Sequence, residues 1–165
     1  MWGYENLDIE PDGFTLAKGL GGGHAIGALL VGKKANIFIP GDHASTFGGN
    51  PFACTAALTI LNEIKRKNLL HNVLMRSNQI EEGLDIIVKE HSNLIKGYRG
   101  IGLLQGIILN EEVIDAKKIT ISAFKKGLLV VPAGTNVVRI VPPLIISKNE
   151  MKILLNKLSL IFKGL

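Results

Sequence analysis

The sequence has little of several residue types, and each shortage excludes a class of protein. Cys54 is the single cysteine, so no disulfide can form within the chain and a disulfide-stabilised secreted scaffold is excluded. No apolar run approaches the length of roughly 20 residues that crosses a bilayer, and no basic and apolar leader precedes the first motif. We therefore expect a cytoplasmic protein without a membrane segment.

The charge pattern argues against two further kinds of partner. The net charge is +5, but the lysines recur at the spacing of amphipathic helices, as between Lys148 and Lys163, and no nucleic-acid-binding motif accompanies them. The four histidines show neither paired helical spacing nor a cysteine partner. We expect no nucleic-acid partner and no metal site.

The sequence of residues 1–60 predicts two strands, a glycine loop between them and the start of a helix. Apolar runs at Phe14 to Ala17 and at Ile26 to Val31 predict two buried strands on either side of Lys18 and its glycines. A long loop, residues 33–50, leads to Pro51, which suits the first turn of a helix.

The second part, residues 61–165, predicts a helical connector followed by a small α+β domain. Helical periodicity covers about Leu69 to Glu90, and helices are also expected at Asp115 to Lys126 and at Lys148 to Lys163. The expected strands alternate with them at Leu94 to Tyr98, Leu103 to Leu109, Leu128 to Val131 and Val137 to Val141. Such short strands favour a mainly antiparallel sheet with helices on one face.

Three segments contain residues that suit chemistry. Lys18 ends an apolar run and precedes glycines that let other groups approach closely, which suits a Schiff-base lysine in a site that desolvates it. Ser45 and Thr46 offer hydroxyls beside Gly48 and Gly49, a pattern that by itself is better interpreted as a plain Ser/Thr-Gly turn. Arg139 lies in an otherwise apolar strand, where it needs a partner, and its guanidinium matches a carboxylate. A structural role for each of them stays open on these grounds alone.

The strings around these residues resemble the class-III aminotransferases, which depend on pyridoxal phosphate. Residues 15–23 (Thr-Leu-Ala-Lys-Gly-Leu-Gly-Gly-Gly) are similar to the family's cofactor-lysine segment, although His24 departs from its pattern. Residues 41–51 are similar to its inter-subunit loop, and residues 136–144 to its substrate-arginine strand. The resemblance implies an α/β fold, namely the carboxy-terminal part of a fold-type-I transferase. Residues 1–60 would be the remnant of the cofactor-binding large domain and its sheet, and residues 61–165 the helical connector and small α+β domain.

Roles follow for individual residues from this resemblance. Lys18 would hold pyridoxal phosphate as a Schiff base and then act as the base, and Thr46 would reach the cofactor phosphate of the partner subunit in a homodimer. Ser45 and Arg139 would bind substrate, the latter through a carboxylate. Amino-acid and 2-oxo-acid substrates are implied, and residues 45–51 resemble the type that transfers the side-chain amino group of N-acetylornithine to 2-oxoglutarate in arginine biosynthesis.

The resemblance also implies that much of an active site lies outside this chain. The family's acidic partner for the pyridinium nitrogen, its phosphate cup, its stacking aromatic ring and an upstream arginine have no counterpart here. Met1 to Tyr4 shows no capping or leader chemistry, and we expect a truncated chain that is inactive alone and prone to aggregation. Ornithine or 4-aminobutyrate as amino donor, and a non-catalytic remnant or interaction module, stay open as alternatives.

Overall fold

A computed structural model describes all 165 residues of the chain. The chain divides into two compact units, Met1–Asn68 and Leu69–Leu165. No helix in either unit combines the length and the apolar character required to cross a membrane.

The first unit consists of a two-stranded antiparallel sheet, two short 3-10 helices and one α-helix. Strand β1 (Gly13–Leu16) pairs with β2 (Ala28–Val31), and helix α1 spans Pro51–Arg66. The 3-10 helices lie at Gly3–Asn6 and Lys18–Gly21. Helix α1 begins where expected, since proline occupies its first turn and the preceding asparagine caps it.

The prediction that these two strands are buried is wrong. Leu29 is 55% exposed, and Leu30 and Val31 are exposed as well. A sheet of two strands has no second layer to cover it unless another element packs on its face, and no residue of β1 or β2 is buried. The sequence pattern shows that a segment is apolar, but it does not show whether another secondary-structure element covers that segment.

The second unit is a four-stranded antiparallel sheet with three helices. The strands β3 (Ile95–Ile101), β4 (Leu104–Leu109), β5 (Val131–Pro132) and β6 (Val137–Ile140) are arranged in the order β3-β4-β6-β5. The helices are α2 (Leu69–Glu90), α3 (Ala116–Lys125) and α4 (Lys148–Lys163). The α+β architecture with an antiparallel sheet is as the sequence predicts.

The helix starts in this unit follow from local chemistry. The Asp115 side chain accepts a hydrogen bond from the Lys118 amide at 2.8 Å and caps α3. Ser147 and Glu150 form a reciprocal capping box at the start of α4, each side chain accepting from the other residue's amide. Capping chemistry of this kind depends only on residues three apart, which is why the sequence predicts these starts.

One expected strand is mostly absent. Residues 128–130 have no strand structure, and β5 contains only Val131 and Pro132. The amide of Gly127 donates to Phe124 and that of Leu128 donates to Ala123, both at 2.9 Å, so these residues cap the carboxyl end of α3. The apolar run therefore begins by completing a helix and joins the sheet only at its end.

The hydrophobic core of the second unit lies between one face of its sheet and its helices. Ile107 and Leu109 of β4 and Val138 of β6 are fully buried, and they pack with fully buried side chains of the helices such as Leu84 and Ile119. The opposite face of the sheet has exposed side chains, among them Ile101 and Leu104. This second face is called the open face below.

Candidate functional site

Lys18 lies at the junction between β1 and the 3-10 helix Lys18–Gly21. Its φ angle is +51°, in the left-handed region that residues other than glycine seldom adopt. Such a conformation costs on the order of 1–3 kcal/mol and persists only where the surroundings hold it, often at functional sites. The side chain itself is exposed, so the residues of this chain do not supply the desolvation that a Schiff-base lysine requires.

The glycines after Lys18 allow a close approach that side chains would prevent. A Cβ on Gly21 would lie 2.9 Å from Cγ2 of Ile26, and one on Gly22 would lie 3.0 Å from Cδ1 of Ile60 in α1. Gly22 also has a φ of +60°, which glycine adopts without strain. The glycine string thus lets the lysine segment turn tightly and pack against helix α1.

The loop that contains Ser45 is held at the amino end of α1. The Gly48 amide donates to Oγ of Ser45 at 2.9 Å, and the Asn50 side-chain amide donates to the Phe47 carbonyl at 2.8 Å. Oδ1 of Asn50 in turn accepts from the Ala53 amide at 2.9 Å. A Cβ on Gly48 would lie 2.7 Å from Ser45 Oγ, so glycine is required for this turn.

The lysine segment and this loop line one open cleft of about 680 Å³ within the first unit. Lys18 and Ser45, two of the predicted site residues, are both in its lining. Thr46 is not, although its neighbours Ser45 and Phe47 are, and its own side chain is exposed. The structure therefore places Lys18 and Ser45 in one cleft and does not bring Thr46 into its lining.

The chemistry of the cleft is that of a small cationic site. Lys18 is the single lysine or arginine in its lining, and no carboxylate lines it. Besides Lys18 and Ser45, the lining consists of glycines, apolar side chains and a few polar groups, namely Gly23, His24, Ala25, Ile26, Gly27, Phe47, Gly48, Gly49, Asn50 and Ala53. A primary amine, a hydroxyl and glycine backbone suit an anionic ligand with a group that reacts with amines. A ligand that needs an acidic partner would not find one among these residues.

Sequence reasoning missed several residues of this cleft. Asn50 and Phe47 belong to its lining, and His24, noted only as a departure from the family pattern, lines it and contacts Phe52 edge to face at 4.7 Å between ring centroids. Asn50 could have been found, because an asparagine directly before a proline-initiated helix is a typical cap. His24 and Phe47 carry no comparable local signal.

Arg139 lies in the second unit, on strand β6. Its side chain is exposed on the open face of the sheet and lines a depression of about 510 Å³. The expectation that it needs a partner to offset burial is wrong, because in an antiparallel sheet with one covered face an alternate residue of an apolar strand can face solvent. No carboxylate of the chain forms an ion pair with it.

Comparison with known proteins gives one consistent result. Residues 1–162 match the family Aminotransferase class-III. The chain is 70% identical over 163 residues to an acetylornithine aminotransferase of Prochlorococcus marinus subsp. pastoris, covering 99% of this chain and 39% of that protein. The chain thus spans about two fifths of the length of this relative.

Two solved structures share the fold over nearly the whole chain. One is an acetylornithine aminotransferase from Elizabethkingia anophelis, with a TM-score of 0.89 and 27% identity over 99% of this chain and 41% of that one. The other is an ornithine aminotransferase from Toxoplasma gondii, with a TM-score of 0.90 and 28% identity over 98% of this chain and 39% of that one. The backbone alone therefore does not separate the two substrate types.

Proposed function

Because the chain belongs to the class-III aminotransferase family, whose members depend on pyridoxal phosphate, we propose that it supplies the cofactor lysine and a substrate arginine to an aminotransferase. The single observation that carries this proposal is that Lys18 and Ser45, predicted separately, line one cleft. The cleft fits part of the cofactor, since it offers a primary amine for the aldehyde and a hydroxyl and glycine backbone for the phosphate. The acidic partner of the pyridinium nitrogen is not among its lining residues.

Lys18 has two tasks in this proposal. Pyridoxal phosphate, when bound, supplies an aldehyde that condenses with amines and a ring that stabilises negative charge on carbon. Nζ of Lys18 holds the cofactor and, once released by an incoming amino group, moves a proton at the carbon that carries that group. The left-handed backbone at Lys18 supports the assignment, because strained backbone of this kind clusters at active sites and ligand clamps.

Ser45 and Thr46 are proposed to act on different ligands. Ser45 lines the cleft of its own chain, where it is proposed to contact substrate, and its hydroxyl is already oriented by the Gly48 amide. Thr46 is proposed to bind the cofactor phosphate of a second subunit. Its exposure and its absence from the cleft of its own chain support that assignment and, with it, a homodimer.

Arg139 is proposed to bind the carboxylate of an amino-acid or 2-oxo-acid substrate. A guanidinium without an internal partner is free to form a bidentate pair with a carboxylate. The proposed reaction is transfer of the side-chain amino group of N-acetylornithine to 2-oxoglutarate, as a step of arginine biosynthesis in the cytoplasm. The 70% identity to a relative of that name supports this donor over ornithine or 4-aminobutyrate.

The cofactor assignment is tested by trapping. Purified protein is mixed with pyridoxal phosphate, reduced with borohydride and digested, and the labelled peptide is identified by mass spectrometry. The label should fall on Lys18, and Lys18→Ala should abolish both the label and the visible absorption band. Lys34→Ala, which removes another exposed lysine of the same unit, should retain both. A label on a different lysine would refute the proposal, and no label at all would favour the non-catalytic remnant.

The donor assignment needs the chain at the full length of its relatives. With 2-oxoglutarate as acceptor, kcat/KM is measured for N-acetylornithine, ornithine and 4-aminobutyrate. The highest value is expected for N-acetylornithine. A higher value for either competitor would replace the proposed donor and leave the role of Lys18 untouched.

A further inference from the structure

His24 has an uncommitted polar side chain in the cleft that Lys18 and Ser45 line. Its side chain is exposed and belongs to the lining of the cleft. Neither of its ring nitrogens takes part in the hydrogen bonds or ion pairs of the structure. An imidazole donates a ring N–H whether it is neutral or protonated, and it is a cation when protonated.

The other polar side chains of the cleft already have tasks. The side chain of Asn50 is used at both ends, since its amide donates to a backbone carbonyl and its oxygen accepts from a backbone amide. Oγ of Ser45 accepts from a backbone amide and keeps only its own proton to donate. Nζ of Lys18 is assigned to the aldehyde of pyridoxal phosphate in the proposed function. His24 is therefore the remaining side chain of the cleft that can offer a ligand both an N–H and a positive charge.

Two contacts hold the His24 side chain at the cleft. Its backbone amide donates to the Gly21 carbonyl at 3.1 Å and closes a turn through Gly22 and Gly23, which both have positive φ. Its ring packs edge to face against Phe52 in the first turn of α1, with 4.7 Å between the ring centroids. A ring restrained in this way loses less conformational entropy when its N–H binds a ligand.

We propose that His24 binds the phosphate group of the ligand in the cleft. A phosphate monoester carries roughly two negative charges near neutral pH and has three strong acceptor oxygens. The proposed function assigns Ser45 to the substrate and Thr46 to the cofactor of a second subunit. The chain that holds the aldehyde at Lys18 thus has no other cationic side chain in the cleft for the phosphate. This deepens the proposed function, on which it rests, because the ligand is there pyridoxal phosphate.

The test compares pyridoxal phosphate with pyridoxal, which has the same ring and aldehyde but no phosphate. Dissociation constants of both are measured on the whole chain from the visible absorption band. His24→Phe keeps an aromatic ring against Phe52 but removes the N–H, so it should weaken binding of pyridoxal phosphate about tenfold or more. The dissociation constant of pyridoxal should change by less than about twofold.

His43 provides a matched control. It is also an exposed histidine in edge-to-face contact with a phenylalanine, with 6.2 Å between its ring centroid and that of Phe38. It does not line the cleft, so His43→Phe should change neither dissociation constant. His24→Gln restores a side-chain N–H without a charge, and its affinity for pyridoxal phosphate should fall between those of the unmodified chain and His24→Phe. Unchanged circular dichroism of each variant would show that the fold persists.

A second measurement does not depend on the aldehyde. The whole chain is labelled with ¹⁵N-histidine, and inorganic phosphate alone is titrated while the ring-nitrogen signals are recorded. The signals of His24 should shift and those of His43 should not. The shift should persist in Lys18→Ala, because the phosphate contact does not require the amine.

The outcomes distinguish this proposal from the one on which it rests. If borohydride fixes the cofactor on Lys18 but His24→Phe leaves the ratio of the two dissociation constants unchanged, only the present proposal fails. If phosphate shifts the His24 signals but the label falls on a different lysine, the proposed function fails and the phosphate contact stands. A phosphate titration that leaves the His24 signals in place, or equal weakening by His43→Phe, overturns the role of His24.

Discussion

The two units of this chain differ most in what they bury. Residues 69–165 contain a complete hydrophobic core, in which side chains of the sheet and of all three helices reach zero exposure, including Leu84, Ile107, Ile119 and Leu158. Residues 1–68 bury only Gly21, Ala53 and Ala57. The cofactor lysine proposed above thus belongs to the unit that has almost no core of its own.

Many apolar side chains of the first unit are exposed to solvent. Phe47 is 81% exposed and Ile37 is 77% exposed, and other apolar residues beside them in the loop are exposed as well. Apolar residues grouped in this way usually mark a surface that another element or subunit covers. The second unit has the features of an independently folded domain, whereas the first has the features of a surface that is completed elsewhere.

The largest effect should come from the matched removal of a leucine side chain in each unit. Leu84 is 0% exposed and Leu29 is 55% exposed. Leu84→Ala leaves a cavity in the core and should lower the free energy of unfolding by about 2–5 kcal/mol. Leu29→Ala should change it by less than about 0.5 kcal/mol. Urea denaturation followed by circular dichroism measures both, and equal effects would contradict the difference between the units.

A smaller difference is expected for an added methyl group. A Cβ on Gly100 in β3 would lie 2.1 Å from the carbonyl oxygen of Leu104 and 2.8 Å from Cα of Gln105, both backbone atoms that cannot turn aside. Gly100→Ala should therefore cost about 1–3 kcal/mol of the free energy of unfolding.

Gly19 is the matched control for Gly100 in the first unit. A Cβ there would have no heavy atom within 4 Å, so Gly19→Ala should leave the denaturation midpoint unchanged. A midpoint that falls as far for Gly19→Ala as for Gly100→Ala would show that the first unit is packed as tightly as the second.

The smallest effect on stability is expected from the exposed ion pairs on the surface of α1, which Glu63 forms with Arg66 and Lys67. Hydrogen bonds from Arg66 and from Lys67 lower the pKa of Glu63 from 4.5 to about 2. A carboxyl whose pKa is depressed by folding contributes stability above pH 4.5, and that contribution is lost as the pH falls towards 2. Because the pair is exposed, the contribution is small and screened by salt.

A carbon-13 NMR titration of the Glu63 carboxyl checks this directly. The carboxyl should titrate near pH 2 in the unmodified chain and closer to 4.5 when Arg66→Gln and Lys67→Gln are combined. Titration near 4.5 in the unmodified chain would show that these ion pairs do not form in solution.

Local signals explain why much of the fold was predictable. Helix α1 begins at Pro51 after the Asn50 cap, α3 begins after Asp115, and α4 spans Lys148–Lys163 as expected. Caps and helical periodicity depend on residues three or four apart, so they are present in the chain before it folds. The turn between β3 and β4 was not predicted, although its signal is equally local, since Gly102 has the positive φ that a two-residue hairpin needs.

Burial and register were not predictable in the same way. The exposure of β1 and β2 depends on whether another element lies over them, and the shortness of β5 depends on a competing cap of α3. In the site, Lys18 and Ser45 were identified from their sequence strings, and their common cleft comes from the packing of the lysine segment against α1.

The amino-acid sequence by itself determined the elements, the glycine-flanked lysine, the family and the residue types offered to a ligand, because each of these is a matter of neighbours along the chain. Only the tertiary structure decided which face of the sheet stays open, and that Arg99, Gly106 and Arg139 lie in one row across it. Pairing between strands joins residues that are far apart in sequence, and a shift of one residue in that pairing would place different residues in this row.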